Sequence, residues 1–246
     1  MDVEDLTRNN IGQFIIKKLH KGRSLVQPHI YLLEIAGNKY VLKDYFRRSF
    51  LIKWLLGRYM IKREYRRYRR LKGIKGIPKI YKFLDDYGFI MQHIEVHRLP
   101  HRRDEHTISP AVFDSLKETL DEMHSRGVIH GDIRRKNVLL DNENNPYFID
   151  FVTAFYKGDR RNFLRNWFYK IMVRKDNFSL IKIKGHYFPE SLSEEEKAIL
   201  DNPSFLFRFF RFLRKKIYQP LSQKTLRKKY KKFFHKQKAK KKEEKK

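Results

Sequence analysis

One short stretch, "VIHGDIRRKNVLLDNENNPYFIDF" (residues 128–151), holds three side chains with hard oxygen ligands: Asp132, Asn137 five positions later, and Asp150 eighteen positions after Asp132. Each is flanked by apolar residues that belong in a core. A carboxylate drawn into such a setting is costly unless something neutralises it. From the residues alone two readings are open. Asp and Asn suit turns and caps, or a cation sits among them, and a hard divalent ion takes oxygen ligands of these types.

The surrounding elements must hold these groups. "QFIIKKLHKG" and "HIYLLEIAGNKYVLKDYF" are rich in β-branched and aromatic residues and read as strands, with Gly37-Asn38 as a hairpin turn. From Ser49 to about Leu71 the pattern becomes helical and very basic. Two short strands are expected around Asp85-Asp86. A helix follows, with Ser109 as cap, Pro110 in its first turn, apolar residues at 112, 113, 116, 120 and 123, and Gly127 as its stop. "NVLLD" and "PYFIDF" read as a strand pair joined through Asn144-Asn145-Pro146. Beyond Phe155 the chain reads as helices: "NFLRNWFYKIMV", then "SLSEEEKAIL" with a capping box from Ser193 to Glu196, then "PSFLFRFFRFLRKKIY". From Lys224 it is mostly Lys and Arg, expected to be disordered or a charged helix. No internal repeat is found.

The chain of 246 residues has room for one substantial domain or two small lobes, and 41% hydrophobic residues support a core. The net charge of +29, from 57 basic and 28 acidic residues, attracts polyanions: nucleic acid, an anionic membrane surface or phosphorylated substrates. The absence of cysteine excludes disulfides and cysteine-ligated zinc and fits a reducing compartment. The acidic start "MDVEDLTRNNIGQ" is unlike a secretory signal, and no apolar run is long enough to predict a transmembrane helix.

The spacing H-x-D-x-x-x-x-N, from His130 to Asn137, followed by I-D-F at 149–151 resembles the protein-kinase-like superfamily. The resemblance implies an α+β, two-lobe kinase-like fold. Its lobes are expected at 1–95, nucleotide-binding and β-rich with one helix, and at 96–222, compact, helical and catalytic; 223–246 is the basic tail. It implies ATP and Mg²⁺ as cofactors, with Asp132 accepting the proton of an acceptor hydroxyl and Asn137 and Asp150 holding the metal. "NKYVLKDY" then places Lys43 where a strand lysine would hold the α- and β-phosphates, with Val41 on the same face toward the adenine. Glu64, the one acidic residue between Asp44 and Asp85, is the expected partner of that lysine. A full glycine-rich loop is missing. Gly22 stands 21 positions before Lys43, so amides and side chains near Gly22, Arg23 and Ser24 are expected to grip phosphate. Gln92, His93 and Ile94 lie in the expected hinge, "FIMQHIEV", whose backbone would bond the adenine edge. Arg134, two places after Asp132, is expected to neutralise the γ-phosphate in the transition state.

Departures narrow the resemblance. H-G-D replaces H-R-D, D-F-V replaces D-F-G, and no A-P-E follows. This looks like the RIO and Bud32-type atypical kinases and equally like bacterial lipopolysaccharide-core kinases of the Kdo-kinase and InaA-like group, over roughly residues 12–200. The surplus charge lies at 47–72, at 208–216 and in the tail from Lys224, and its basic residues interleaved with aromatics suit an anionic leaflet, and less strongly RNA. The favoured acceptor is therefore an anionic glycolipid hydroxyl. A protein hydroxyl is the first alternative, and a catalytically inactive RNA- or membrane-binding kinase fold the second. The expected location is cytoplasmic, peripheral on the inner face of the membrane.

Overall fold

A computed structural model describes residues 2–22, 27–47, 54, 57–95, 97–99, 108–159 and 161–201. The alternating run from Ile15 makes three antiparallel strands, β1 (Ile15–His20), β2 (His29–Ile35) and β3 (Asn38–Asp44). β4 (Ile80–Asp85) and β5 (Gly88–Gln92) complete a five-stranded sheet in the order β1-β2-β3-β5-β4. The hairpin turn sits one residue earlier than the sequence suggests. Ala36 and Gly37 both take positive φ, and Asn38 already pairs with Ile35. A two-residue turn of this hand matches the twist of the flanking strands.

Period-two alternation divides the sheet's residues between two cores. Tyr31, Leu33, Ile35, Leu42 and Ile90 face the N-terminal segment, which contributes Val3, Leu6 and Ile11. Arg8 fixes that segment, bonding both carboxylate oxygens of Asp85 at 2.7 Å and Asp44 at 2.9 Å. The other face, with Phe89 and Met91, meets helix α1 (Arg58–Arg70) through Ile61 and Tyr68.

The rest of the kinase-like architecture is helical with short ribbons. β6 (His97–Arg98), β8 (Val138–Leu140) and β9 (Pro146–Phe148) form one small sheet. β7 (Val128–Ile129) and β10 (Phe155–Tyr156) form another. Helix α2 (Ala111–Ser125) buries Val112, Phe113, Leu116, Leu120 and Met123, as its periodicity predicts. Its N-cap is Pro110, without a side-chain hydrogen bond, so the expected Ser109 cap does not form; Ser109 supplies only its carbonyl, to the Val112 N–H. Helix α3 (Phe163–Tyr187) runs well past the segment first read as helical, and Asn162 caps it by accepting from the Arg165 N–H at 3.1 Å. Helix α4 (Glu194–Asp201) carries the expected capping box, with Ser193 and Glu196 exchanging bonds of 3.0 and 3.1 Å. The helix expected at 203–218 and the tail lie outside the described residues. No described helix is long and apolar enough to cross a membrane.

The chain passes from α1 to β4 through Gly76, at φ +81°. A Cβ there would lie 2.6 Å from Thr119 Oγ1 and 2.9 Å from the Pro146 carbonyl oxygen. The Gly76 carbonyl accepts the Phe148 N–H at 2.9 Å, so the crowded backbone is pinned. Gly76→Ala is expected to lower unfolding free energy by about 3 kcal/mol, combining left-handed strain and overpacking. Gly12→Ala, where a Cβ meets nothing within 4 Å, is expected to change it by less than about 0.5 kcal/mol. Urea unfolding of both variants checks this.

Candidate active site

Lys43 lies in the second-to-last position of β3, between Ile30 on β2 and Phe89 on β5. Its side chain leaves the sheet on the α1 face and is buried. There Lys43 Nζ meets Glu64 Oε1 at 2.5 Å, with the Tyr68 and Phe89 rings about it at 5.8 and 6.0 Å. Burial works against the lysine's charge, but Glu64, then Tyr68 and Asp150, outweigh it and hold its pKa above the ordinary value. Burial pushes the Glu64 carboxyl upward, opposed by Lys43. The ammonium so stabilised keeps the pair ionic. Val41 is on the same face as Lys43, two residues before it.

Two more side chains on the buried face of α1 reach the far loop. Arg67 Nη1 donates to the carbonyls of Phe151 and Val152 at 2.9 and 2.8 Å. Tyr68 Oη accepts the Asp150 N–H at 3.4 Å. Spacing of three and four places Glu64, Arg67 and Tyr68 along one stripe. One helix thus fixes both Lys43 and the Asp150 turn, where Asp150 itself adopts φ +72°.

The loop of Asp132 is organised by Asp176 of α3. Its fully buried carboxylate accepts the backbone N–H groups of His130 and Gly131 at 2.7 and 3.0 Å. The His130 ring is buried, with Nδ1 3.3 Å from the Asp132 N–H and Nε2 3.1 Å from the Ile149 carbonyl. Those partners select the neutral ring with the proton on Nε2. Gly131 has φ +82°, and a Cβ on it would approach the Thr153 carbonyl to 2.9 Å. The glycine of H-G-D is therefore a steric demand of this loop. Asn137 Nδ2 donates to the Asp132 backbone carbonyl at 2.9 Å and to Oδ2 at 3.2 Å. Arg134 Nη2 meets Asp132 Oδ2 at 2.6 Å.

The remaining expected residues are placed less centrally. The Gly22 N–H donates to His29 Nδ1 at 3.3 Å, while Arg23 and Ser24 lie outside the described residues. Gln92 closes β5, its backbone N–H and side-chain oxygen both engaged by Lys79. His93 and Ile94 follow, half-buried and buried. Sequence reading missed Arg67, Tyr68 and Asp176. For Asp176 a signal exists: it occupies the buried stripe of α3 with Tyr169, Leu180, Ile183 and Tyr187.

The donor set fits a hard cation. With Asn137 Nδ2 engaged, the amide oxygen is the end available to a metal. Among the described residues no hydrogen bond to the Asp150 carboxylate is found. No group of three or more His, Cys, Asp or Glu among them could hold a metal alone. Mg²⁺ commonly takes one or two protein ligands and completes its shell with phosphate oxygens and water.

A family model for the RIO domain matches residues 41–165, half of the chain, from Val41 through the start of α3. The chain belongs to the RIO-domain family. This is a family of atypical, protein-kinase-like ATP-dependent kinases and ATPases, which supports a phosphotransferase activity in those coarse terms. A protein kinase and PP2C-like domain-containing protein of Arabidopsis thaliana is 42% identical over 53 residues, 21% of this chain and 8% of that protein. A probable bifunctional tRNA threonylcarbamoyladenosine biosynthesis protein of Methanosarcina barkeri is 32% identical over 79 residues, 32% of this chain and 13% of that protein. The chain thus matches only a small part of these relatives. The RIO and Bud32 alternative fits these likenesses better than the lipopolysaccharide-core reading, and a glycolipid acceptor finds no support among them.

Burial pushes His130 below its ordinary value of 6.5, against the opposing pull of Asp176, Asp150 and Asp132. On acidification the unfolded chain takes up this proton first, near pH 6.5, so stability is lost as pH falls from there toward the folded-state value. The decline in urea midpoint from pH 7 to 5 is expected to be shallower in His130→Gln. Equal slopes in the two proteins would contradict the neutral, buried imidazole.

Proposed function

We propose that this chain is an ATP- and Mg²⁺-dependent kinase of the RIO/Bud32 type that phosphorylates a serine or threonine hydroxyl on a protein. The observation that carries this reading is the coupling of strand β3 and the Asp150 turn to one helix, with the Asp132 loop fastened beside them. Glu64 holds Lys43, Tyr68 and Arg67 hold the Asp150 turn, and Asn137 fastens Asp132. A phosphate-binding cation, a metal-binding pair and a proton acceptor are thereby set by one rigid frame, and positioning is what phosphoryl transfer chiefly needs.

In this reading residues 1–95 hold the nucleotide and 96–222 the acceptor. Lys43 Nζ binds the α- and β-phosphates, its charge maintained by Glu64. Val41 and the segment Gln92–Ile94 line the adenine side. Asn137 and Asp150 would hold Mg²⁺, which when bound neutralises charge on the phosphates. Asp132 orients the acceptor hydroxyl and takes its proton as the new O–P bond forms and the bond from the γ-phosphorus to the β,γ-bridging oxygen breaks, with ADP as the leaving group. Arg134 meets the Asp132 carboxylate in the structure, and a swing of its exposed side chain toward the transferred phosphoryl group would leave that carboxylate open to the hydroxyl.

Asp132→Asn is expected to reduce transfer of labelled γ-phosphate by about 10²–10⁴-fold, the contribution of a positioned general base, while Mg-ATP binding stays near wild type. Asp150→Ala is expected to weaken both. Transfer into a cell extract split into protein and glycolipid fractions locates the acceptor. Label in protein supports the reading; label confined to glycolipid would replace the acceptor class. Full turnover in Asp132→Asn would overturn the role given to Asp132.

A further inference from the structure

A cavity of about 440 Å³ opens away from the Lys43–Asp150 site, between the C-terminal end of α2, the residue after β10, and one face of α3. Asn166, Tyr169, Lys170 and Arg174 line it from α3, with His124 and Lys157 opposite. Its charged side chains are all cationic. Among the described residues none of Lys157, Lys170 and Arg174 has a carboxylate partner. The nearby acids are engaged by other groups: Asp176 accepts from the His130–Gly131 backbone and stands 3.4 Å from His124 Nε2 on the cavity wall, and Glu122 pairs with Arg126 at 2.6 Å. Unpaired cations gathered around a concavity repel one another, an arrangement that an anion relieves.

The charge continues beyond the cavity. Tyr156, the residue before Lys157, lies within electrostatic reach of Arg63, Arg66, Arg67 and Arg70. Arg67 is engaged by the Phe151 and Val152 carbonyls. Arg63, Arg66 and Arg70 have no acidic partner among the described residues and extend about 10 Å along α1 at 1.5 Å per residue. Arg70 lies over the Tyr156 ring at 5.0 Å and bonds the Arg126 carbonyl, which places it at the cavity's α2 rim. On α3, two aromatic rings stand in solvent on the helical stripe that leads to Lys170 and Arg174: Phe163, 73% exposed, and Trp167, 52% exposed.

A linear run of cations, a cation-lined cavity and exposed rings select among polyanions. A planar lipid leaflet cannot reach the floor of a concavity. A flexible single strand can enter it, with successive phosphates on the arginines and bases on the rings. We propose that this strip, from Arg63, Arg66 and Arg70 across Lys157 to Lys170 and Arg174, binds single-stranded nucleic acid, with one phosphate seated in the cavity. It is separate from the nucleotide site and does not depend on the activity proposed above.

The test uses the full chain and a fluorescent 12-mer of uridine ribonucleotides, with anisotropy read between 50 and 200 mM salt. Lys157→Gln/Lys170→Gln/Arg174→Gln is expected to weaken binding about tenfold or more at 150 mM salt. The slope of log affinity against log salt should become shallower by about 2, near 0.7 for each lost single-strand phosphate contact. Trp167→Ala is expected to weaken binding about fivefold or more, as loss of one stacked base does. Removing the same charge from the tail, as Lys236→Gln/Lys238→Gln/Lys240→Gln, should cost less than the cavity variant. Equal losses in the two triple variants would show that net charge alone binds the strand. Unchanged affinity in the cavity variant would also overturn the proposal. So would a cavity variant that keeps the oligonucleotide but loses phosphatidylserine vesicles, which would assign the strip to a membrane.

Discussion

The architecture depends on a helix that buries charge. The inner face of α1 carries Glu64, Arg67 and Tyr68 where a helix of this size would ordinarily carry only apolar groups. Removing one member of a buried, hydrogen-bonded ion pair typically costs about 3–5 kcal/mol, because the other charge is left without compensation. Lys43 and Glu64 therefore each need the other, and both need α1 seated on the sheet. The same seating brings Arg67 onto the carbonyls of residues 151 and 152. β3, α1 and the Asp150 turn are held as one unit, although they lie far apart in the chain.

The second support is the carboxylate of Asp176. It accepts two consecutive backbone N–H groups from the segment that leads into Asp132. Neither a strand nor a helix can satisfy those donors there, because β7 ends at Ile129 and the backbone turns sharply at Gly131. His130 adds a further brace, standing between the Asp132 N–H and the Ile149 carbonyl. Asp132 and Asp150 are thus tied through one buried ring, and Asn137 closes the arrangement from the other side.

Much of this site was legible from types and spacing. Lys43, Glu64, Asp132, Asn137 and Asp150 were singled out before any geometry, because acids and a lone Glu among arginines stand out against their neighbours. The structure brings Lys43 onto Glu64, the pairing expected of them, whereas the contact of Asn137 with Asp132 was not foreseen, Asn137 having been expected to act with Asp150 on a metal. Arg67 was invisible because α1 holds many arginines and only tertiary contact decides which one is buried. Asp176 was missed because "RKDNF" looks like an ordinary polar patch until α3 is extended through it, and the length of that helix was underestimated. The hairpin turn was misplaced by one residue since Asn and Gly both favour positive φ, and the pairing of Ile35 with Asn38 decided the matter. The Gly131 departure was read as the loss of an arginine; the approach of Thr153 gives it a positive reason.

The outer face of α1 has a consequence of its own. Arg63, Arg66 and Arg70 stand three and four residues apart, and like charges at those separations destabilise a helix. The helix forms because its inner face is buried, so it carries internal repulsion that its packing overcomes. Mobile ions weaken that repulsion within a screening distance of about 10 Å at 0.1 M, while the shielded Lys43–Glu64 pair inside feels them far less. Added salt should therefore firm up the element that holds the lysine, where in a protein braced by exposed ion pairs it would loosen it.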